Sequence, residues 1–153
     1  YIIYVKLISL SSRFRENTLH KGDVMASSTV PRLLIADDNP LFRNALKTLL
    51  DPNAEIVAEA RDGLEAIEQV ERFEPELLLL DISMPRLNGI EVLKRLRVSH
   101  PDLKIIMLTM FSDLSEQSFK LGANGYFTKD CDPIDLLSAI NAVLEGGTFL
   151  SAA

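Results

Sequence analysis

The chain has 153 residues, 47% of them apolar and 25% charged, with a net charge of −6. That length holds one single-core domain and excludes a second. From Met25 onward the balance is more acidic still, 12 Lys and Arg against 20 Asp and Glu, or −8; without a basic face to neutralise phosphates, duplex binding by this chain alone is excluded.

Residues 1–24 differ from the rest. The apolar run Tyr1 to Leu10 is interrupted by Lys6 and falls short of the about 20 apolar residues that a membrane-spanning helix needs. Its charges and small residues are not arranged as in a secretory signal. Met25 is the first methionine, and Lys21-Gly-Asp-Val-Met25 is compatible with a purine-rich ribosome-binding stretch before a start codon. The expectation is a non-native or disordered extension over 1–24 and one domain over 25–148.

From Pro31 the pattern is regular. Arg32-Leu-Leu-Ile-Ala36 reads as a strand, and Asn39-Pro40 supplies an N-cap and a first-turn proline. A helix follows through Leu41, Phe42, Ala45, Leu46, Leu49 and Leu50. Glu55 to Ala60 is a second strand, and Asp62-Gly63 opens a helix through Leu64, Ile67 and Val70. Leu77 to Leu80, four consecutive leucines before Asp81, is too short for a helix and suits a strand buried on both faces. Beyond the Pro85 turn, Ile90, Leu93, Leu96 and Arg97 carry a third helix that stops before Pro101. Lys104 to Thr109 is strand four, Ser112 caps a fourth helix ending at Gly122, and Gly125 to Thr128 is strand five. Asp132-Pro133 opens a fifth helix that runs through Leu136, Leu137, Ile140 and Leu144 to Gly146-Gly147. Five alternations of strand and helix predict an α/β fold, a parallel sheet covered on both faces.

Strand ends collect the chemistry in such a sheet. Asp37 and Asp38 end strand one, Asp81 ends strand three, Thr109 ends strand four and Lys129 follows strand five. Three carboxylates at one edge repel one another unless a cation lies between them. Magnesium suits an all-oxygen donor set of this kind and shares it with a phosphate oxygen. The Thr109 hydroxyl and Lys129 ammonium are left for the other oxygens of a phosphoryl group, an arrangement fitted to in-line phosphoryl transfer. Met84 and Pro85 shape the turn, and His100 falls at the far end of helix three. Cys131 is the only cysteine, which excludes an internal disulfide or thiolate cluster and suits a reducing compartment.

These motifs together resemble a family. Leu34-Ile-Ala-Asp-Asp38-Asn-Pro, Leu80-Asp-Ile-Ser-Met-Pro85 with Asn88-Gly-Ile-Glu91, Ile106-Met-Leu-Thr109 and Gly122-Ala-Asn-Gly-Tyr-Phe-Thr-Lys129 are similar to those of the receiver domains of two-component response regulators. The resemblance covers residues 32 to about 148. It implies a flavodoxin-like (CheY-like) three-layer sandwich with a five-stranded parallel sheet of order 2-1-3-4-5 and five helices. It further implies a phosphoryl acceptor at Asp81, and magnesium held by Asp38, Asp81 and the Ser83 backbone carbonyl, with Asp37 acting through a water. Thr109 and Lys129 match the family's hydroxyl and lysine, and Tyr126 its switch aromatic, expected to turn inward as Thr109 moves toward the phosphoryl group.

Lys129-Asp-Cys-Asp-Pro133, Gly63-Leu-Glu-Ala-Ile67 and Glu145-Gly-Gly-Thr-Phe-Leu-Ser151 are similar to the LuxR/NarL type. That resemblance implies a sensor histidine kinase as phosphodonor, a homodimer on phosphorylation, a cytoplasmic location without membrane contact, and DNA binding only through a helix-turn-helix domain absent here. Residues 149–153 are then expected to begin a linker. Two departures from the family stand out: Arg86 where glycine is frequent, and Met110 where a small residue is common. Either would slow access of phosphodonor or water.

Two rivals belong to other classes. A magnesium-dependent phosphohydrolase commonly carries a second Asp two residues after its nucleophile, where this chain has Ser83. A pseudo-receiver acting only as an interaction module would not need the intact set of Asp37, Asp38, Asp81, Thr109 and Lys129. No P-loop run is present.

Overall fold

The computed structural model describes residues 30–151. Expectations for residues 1–24 and the proposed start at Met25 lie outside the described residues. In chain order the elements are β1 (Arg32–Ala36), α1 (Pro40–Leu50), β2 (Glu55–Ala60), α2 (Gly63–Phe73), β3 (Leu77–Asp81) and α3 (Gly89–Ser99). They continue with β4 (Lys104–Thr109), α4 (Ser115–Lys120), β5 (Gly125–Thr128), α5 (Pro133–Leu144) and β6 (Phe149–Leu150). The sheet has the order β2-β1-β3-β4-β5-β6, and every pairing is parallel.

Alternation along the central strands divides the core in two. Leu34, Ala36, Leu78, Leu80, Ile105 and Met107 join side chains of α2 and α3 and the Tyr126 ring on one face. Leu33, Ile35, Leu77, Leu79, Ile106 and Leu108 meet α1 and α5 on the other. A strand covered on both sides needs apolar residues at every position, and each of Leu77 to Leu80 is fully buried. Helices α1, α2 and α5 start where the sequence puts their first turns, and α3 starts after Asn88. The side chains of Asn39, Asp62, Asn88 and Asp132 each accept a hydrogen bond from a first-turn amide.

Two elements depart from expectation. The expected five strands are present in the expected order, and Phe149–Leu150 adds a sixth beside β5. Part of the stretch expected to begin a linker is therefore tied to the sheet by its backbone. Helix α4 begins at Ser115 instead of after Ser112, and Leu114 precedes it without a side-chain cap. The reason lies in the segment before it: the Thr109 hydroxyl accepts from the Phe111 amide at 3.1 Å, and the Tyr126 hydroxyl donates to the Phe111 carbonyl at 2.5 Å. Both backbone groups of Phe111 are taken by side chains, so the chain leaves the sheet as a loop.

The order 2-1-3 makes β1 the point at which the winding reverses, and a crevice opens there at the carboxyl ends of β1 and β3. Asp37 and Asp38 follow β1, and Asp81 is the last residue of β3.

Candidate phosphoryl-transfer site

Each side chain of the site is set by a short stretch of backbone. Asp37 is held where β1 ends by its amide, which donates to the Ala60 carbonyl at 3.0 Å. Its Oδ1 accepts from the Asn39 amide at 2.8 Å. Asp81 is fixed by β3, and its Oδ1 accepts from the Ser83 amide at 3.2 Å. Packing keeps the next turn close, because a Cβ on Gly89 would overlap the Asp81 carbonyl. Lys129 is aligned by its amide, which donates to the Thr109 carbonyl at 2.7 Å. That bond ties the ends of β4 and β5 together.

The carboxylates of Asp37, Asp38 and Asp81 each place an oxygen within 4.8 Å of the others. Asp37 and Asp81 are buried and Asp38 is exposed, so the cluster has a dry floor and an open mouth. Lys129 Nζ lies 2.5 Å from Asp37 Oδ2 and 3.3 Å from Asp81 Oδ2. Burial pushes the Asp81 carboxyl up from its ordinary 3.8 to about 6; the Lys129 charge opposes the rise and the Asp37 charge adds to it. One ammonium therefore balances two buried carboxylates incompletely, which is the condition in which a hard cation is taken up.

Of the residues expected at this edge, Asp37, Asp38, Asp81 and Lys129 come together. Thr109 is fully buried at the end of β4, with its hydroxyl engaged by the Phe111 amide. Ser83 contributes its amide to Asp81. Tyr126 lies back from the carboxylates, opposite Met107 in the sheet. Its ring lies inside the core at 1% exposure, and its hydroxyl donates to the Phe111 carbonyl. His100 ends α3 with its Nδ1 2.8 Å from the Ser99 hydroxyl, away from the site as expected. The Cys131 sulfur lies 2.9 Å from the Thr128 hydroxyl.

Two residues escaped the sequence reading. Arg43 donates through Nη1 to the Asp37 carbonyl at 2.6 Å and through Nε to Glu59 at 2.9 Å, so β2 braces the acidic turn. The Phe42 ring lies under the Lys129 ammonium, 4.4 Å from Nζ to the ring centroid, a favourable charge–quadrupole arrangement. A cation and an aromatic in the first turn after an acidic pair were the available signal.

A cleft of about 660 Å³ leads away from Asp38 between the β3–α3 turn and α4, lined by Ser83, Met84, Asn88, Lys94 and Gln117 among others. Of the three clustered carboxylates, Asp38 alone lines it.

Residues 33–141 match the family described as response regulator receiver domain. The chain is similar to the nitrate/nitrite response regulator protein NarP of Escherichia coli K12, 41% identical over 132 residues covering 83% of this chain and 61% of NarP. It is also similar to the transcriptional regulatory protein DegU of Brevibacillus brevis, 37% identical over 123 residues covering 78% of this chain and 52% of DegU. The chain thus spans between half and two thirds of these relatives. Among solved structures, a LuxR-family two-component response regulator from Aurantimonas sp. SI85-9A1 superposes with a TM-score of 0.77 at 32% identity, covering 80% of this chain and 91% of that one. The isolated REC domain of RcsB from Salmonella enterica serovar Typhimurium, solved with the phosphomimetic BeF3−, gives 0.73 at 28% identity, with coverage of 80% and 94%.

Proposed function

The chain belongs to the response regulator receiver domain family, and from that premise we propose that Asp81 is its phosphoryl acceptor. It is a receiver domain of the LuxR/NarL type. The observation that carries the assignment is the pairing of a buried Asp81 with Lys129, Asp37 and Asp38 at one strand edge.

A carboxylate oxygen of Asp81 attacks the phosphorus of the donor. The bond to the donor's leaving group breaks, with its electron pair staying on that group. Lys129 is positioned to hydrogen-bond a phosphoryl oxygen, and the Phe42 ring and Asp37 limit where its ammonium can go. Magnesium fits the donor set, three carboxylates with the Ser83 backbone beside them. Asp38 and Asp81 would hold it with the Ser83 carbonyl, and Asp37 would act through a water. When bound it supplies charge neutralisation for the transferred phosphoryl group.

The Thr109 hydroxyl, which accepts from the Phe111 amide, then has a phosphoryl oxygen to which it can donate. Movement of the hydroxyl toward that oxygen would draw it away from the Phe111 amide and loosen the loop that Tyr126 holds through the Phe111 carbonyl. The response is a shift between two packings of the β4–α4 loop and α4. The surface so altered would govern pairing of two copies and a DNA-binding segment outside this chain. The donor would be a sensor histidine kinase in the cytoplasm. The domain would accelerate only its own phosphorylation and dephosphorylation.

Intact-mass measurement after incubation with acetyl phosphate and Mg2+ tests this. A single labile phosphoryl adduct in the wild type, absent in Asp81→Asn, is expected. Continued release of phosphate over many turnovers would point instead to a hydrolase, and an adduct that persists in Asp81→Asn would move the acceptor elsewhere.

A further inference from the structure

The β3–α3 turn, residues 82–88, carries Ser83 past Asp81 and into α3. It is compact: the Leu87 amide donates to the Pro85 carbonyl at 2.7 Å and the Gly89 amide to the Ile82 carbonyl at 2.9 Å. Arg86 sits within it at φ +66°, a left-handed conformation disfavoured for any residue with a Cβ. Something must hold it there. Its Nη1 lies 3.0 Å from Asp62 Oδ2; the guanidinium is largely exposed, but the Asp62 carboxylate is buried at 4% residue exposure. The other oxygen, Oδ1, accepts from the Glu65 amide at 2.9 Å and caps α2. That amide, aided by the Arg86 charge, holds the Asp62 carboxyl below its usual range. Beside this pair Gly63 lies so close to Leu87 that a Cβ would overlap the Leu87 carbonyl. The turn is therefore seated on the N-terminus of α2 by a glycine contact and one ion pair. Neither Arg86 nor Asp62 belongs to the acidic cluster.

We propose that Arg86 is a positioning residue: its ion pair with the α2 cap Asp62 clamps the β3–α3 turn and fixes the Ser83 backbone beside Asp81, which sets the affinity of the acidic site for a divalent cation. The inference rests on the reading of that site given above. An ion pair whose cation is largely exposed contributes modestly to global stability, whereas a group that orients a metal ligand commonly changes affinity by about 10- to 100-fold. The clamp acts by having ordered the turn before the ion arrives.

Charge and position make opposite predictions for one substitution. Removal of the Arg86 cation makes the region more negative, so a purely electrostatic role predicts tighter Mg2+ binding in Arg86→Gly. Loss of the clamp predicts weaker binding. Glycine also accepts the left-handed conformation without strain, so Arg86→Gly keeps its fold, and Asp62→Asn retains a good N-cap while losing the charge.

The experiment is calorimetric Mg2+ titration of the whole chain, with amide hydrogen exchange measured in the absence of metal. Arg86→Gly and Asp62→Asn should each weaken Mg2+ binding about tenfold, the double variant should be no weaker than either, and Arg86→Lys should recover part of the loss. Exchange at the Met84, Leu87 and Gly89 amides should quicken in both single variants, while the melting temperature of Arg86→Gly stays at or above that of the wild type. Unchanged or tighter Mg2+ binding in Arg86→Gly overturns the proposal, as do additive losses in the double variant. Unchanged exchange in the turn removes the clamp itself. A wild type that binds no Mg2+ would remove the acidic-site reading, and the metal-free exchange data would still decide whether the pair clamps the turn.

Discussion

At Asp81 the cost of the site is visible in a single side chain. Burial raises its carboxyl from 3.8 to about 6, so the folded chain holds this proton more tightly than the unfolded chain does. The protonated form therefore favours folding; that contribution is complete below about pH 3.8 and is lost as pH rises through about 6. At pH 7.5 without metal, Asp81→Asn should be more stable than the wild type by up to about 3 kcal/mol, since each pKa unit corresponds to about 1.4 kcal/mol. In urea melts the gap should close as pH falls from 6 to 4. The same proton competes with a cation for the carboxylate, so Mg2+ affinity should weaken about tenfold per pH unit below about 6, measured by calorimetric titration. Lys129 presents the converse case. Lys129→Met leaves the fully buried Asp37 without its ammonium, and loss of one partner from such a pair costs about 3 kcal/mol. Chemical denaturation at pH 7 should show that loss, with Mg2+ restoring part of it.

Among the elements, legibility follows how local the cause is. Strands β1 to β5 and three of the helix starts could be read because their causes lie within a few residues: a run of Leu77 to Leu80, or an Asn or Asp followed by a first-turn amide. The start of α4 could not, because what displaces it is the Tyr126 hydroxyl, 15 residues from Phe111 in sequence. Arg43, in α1, was hidden in the same way, since Glu59 is 16 residues away on β2. With six residues and no side-chain cap, α4 should exchange its amides earliest of the five helices. Tyr126→Phe removes a hydrogen bond whose net contribution is about 1 kcal/mol. Proton exchange followed by NMR should show faster exchange from Ser112 through Lys120 in that variant, with β3 unaffected; uniform protection of α4 would deny that Tyr126 restrains the loop.

On the scale of the whole molecule, five strands were implied by the alternation of strand and helix, and the sixth was not, because a two-residue strand has no period to read. What makes it a strand is contact with β5. Phe149 donates its amide to the Asn124 carbonyl and Ser151 to the Tyr126 carbonyl, at 3.2 and 3.0 Å, while the Phe149 ring stacks near Phe127 at 6.4 Å between centroids. Ser151 also closes the ladder with its side chain, whose Oγ accepts from the Thr128 amide at 2.9 Å. Thr128 directly precedes Lys129 and is itself buried. The path from the phosphoryl-transfer edge to the segment after α5 is therefore one strand wide. Ser151→Ala leaves the Thr128 amide without that acceptor, and an unmet buried donor costs about 1–3 kcal/mol. Two consequences should appear together: a loss of that size in unfolding free energy, and faster hydrogen exchange at the Thr128 and Lys129 amides. If β6 merely lay beside the sheet, Ser151→Ala would leave both amides exchanging at the wild-type rate, and the site edge would be independent of the chain that leaves it.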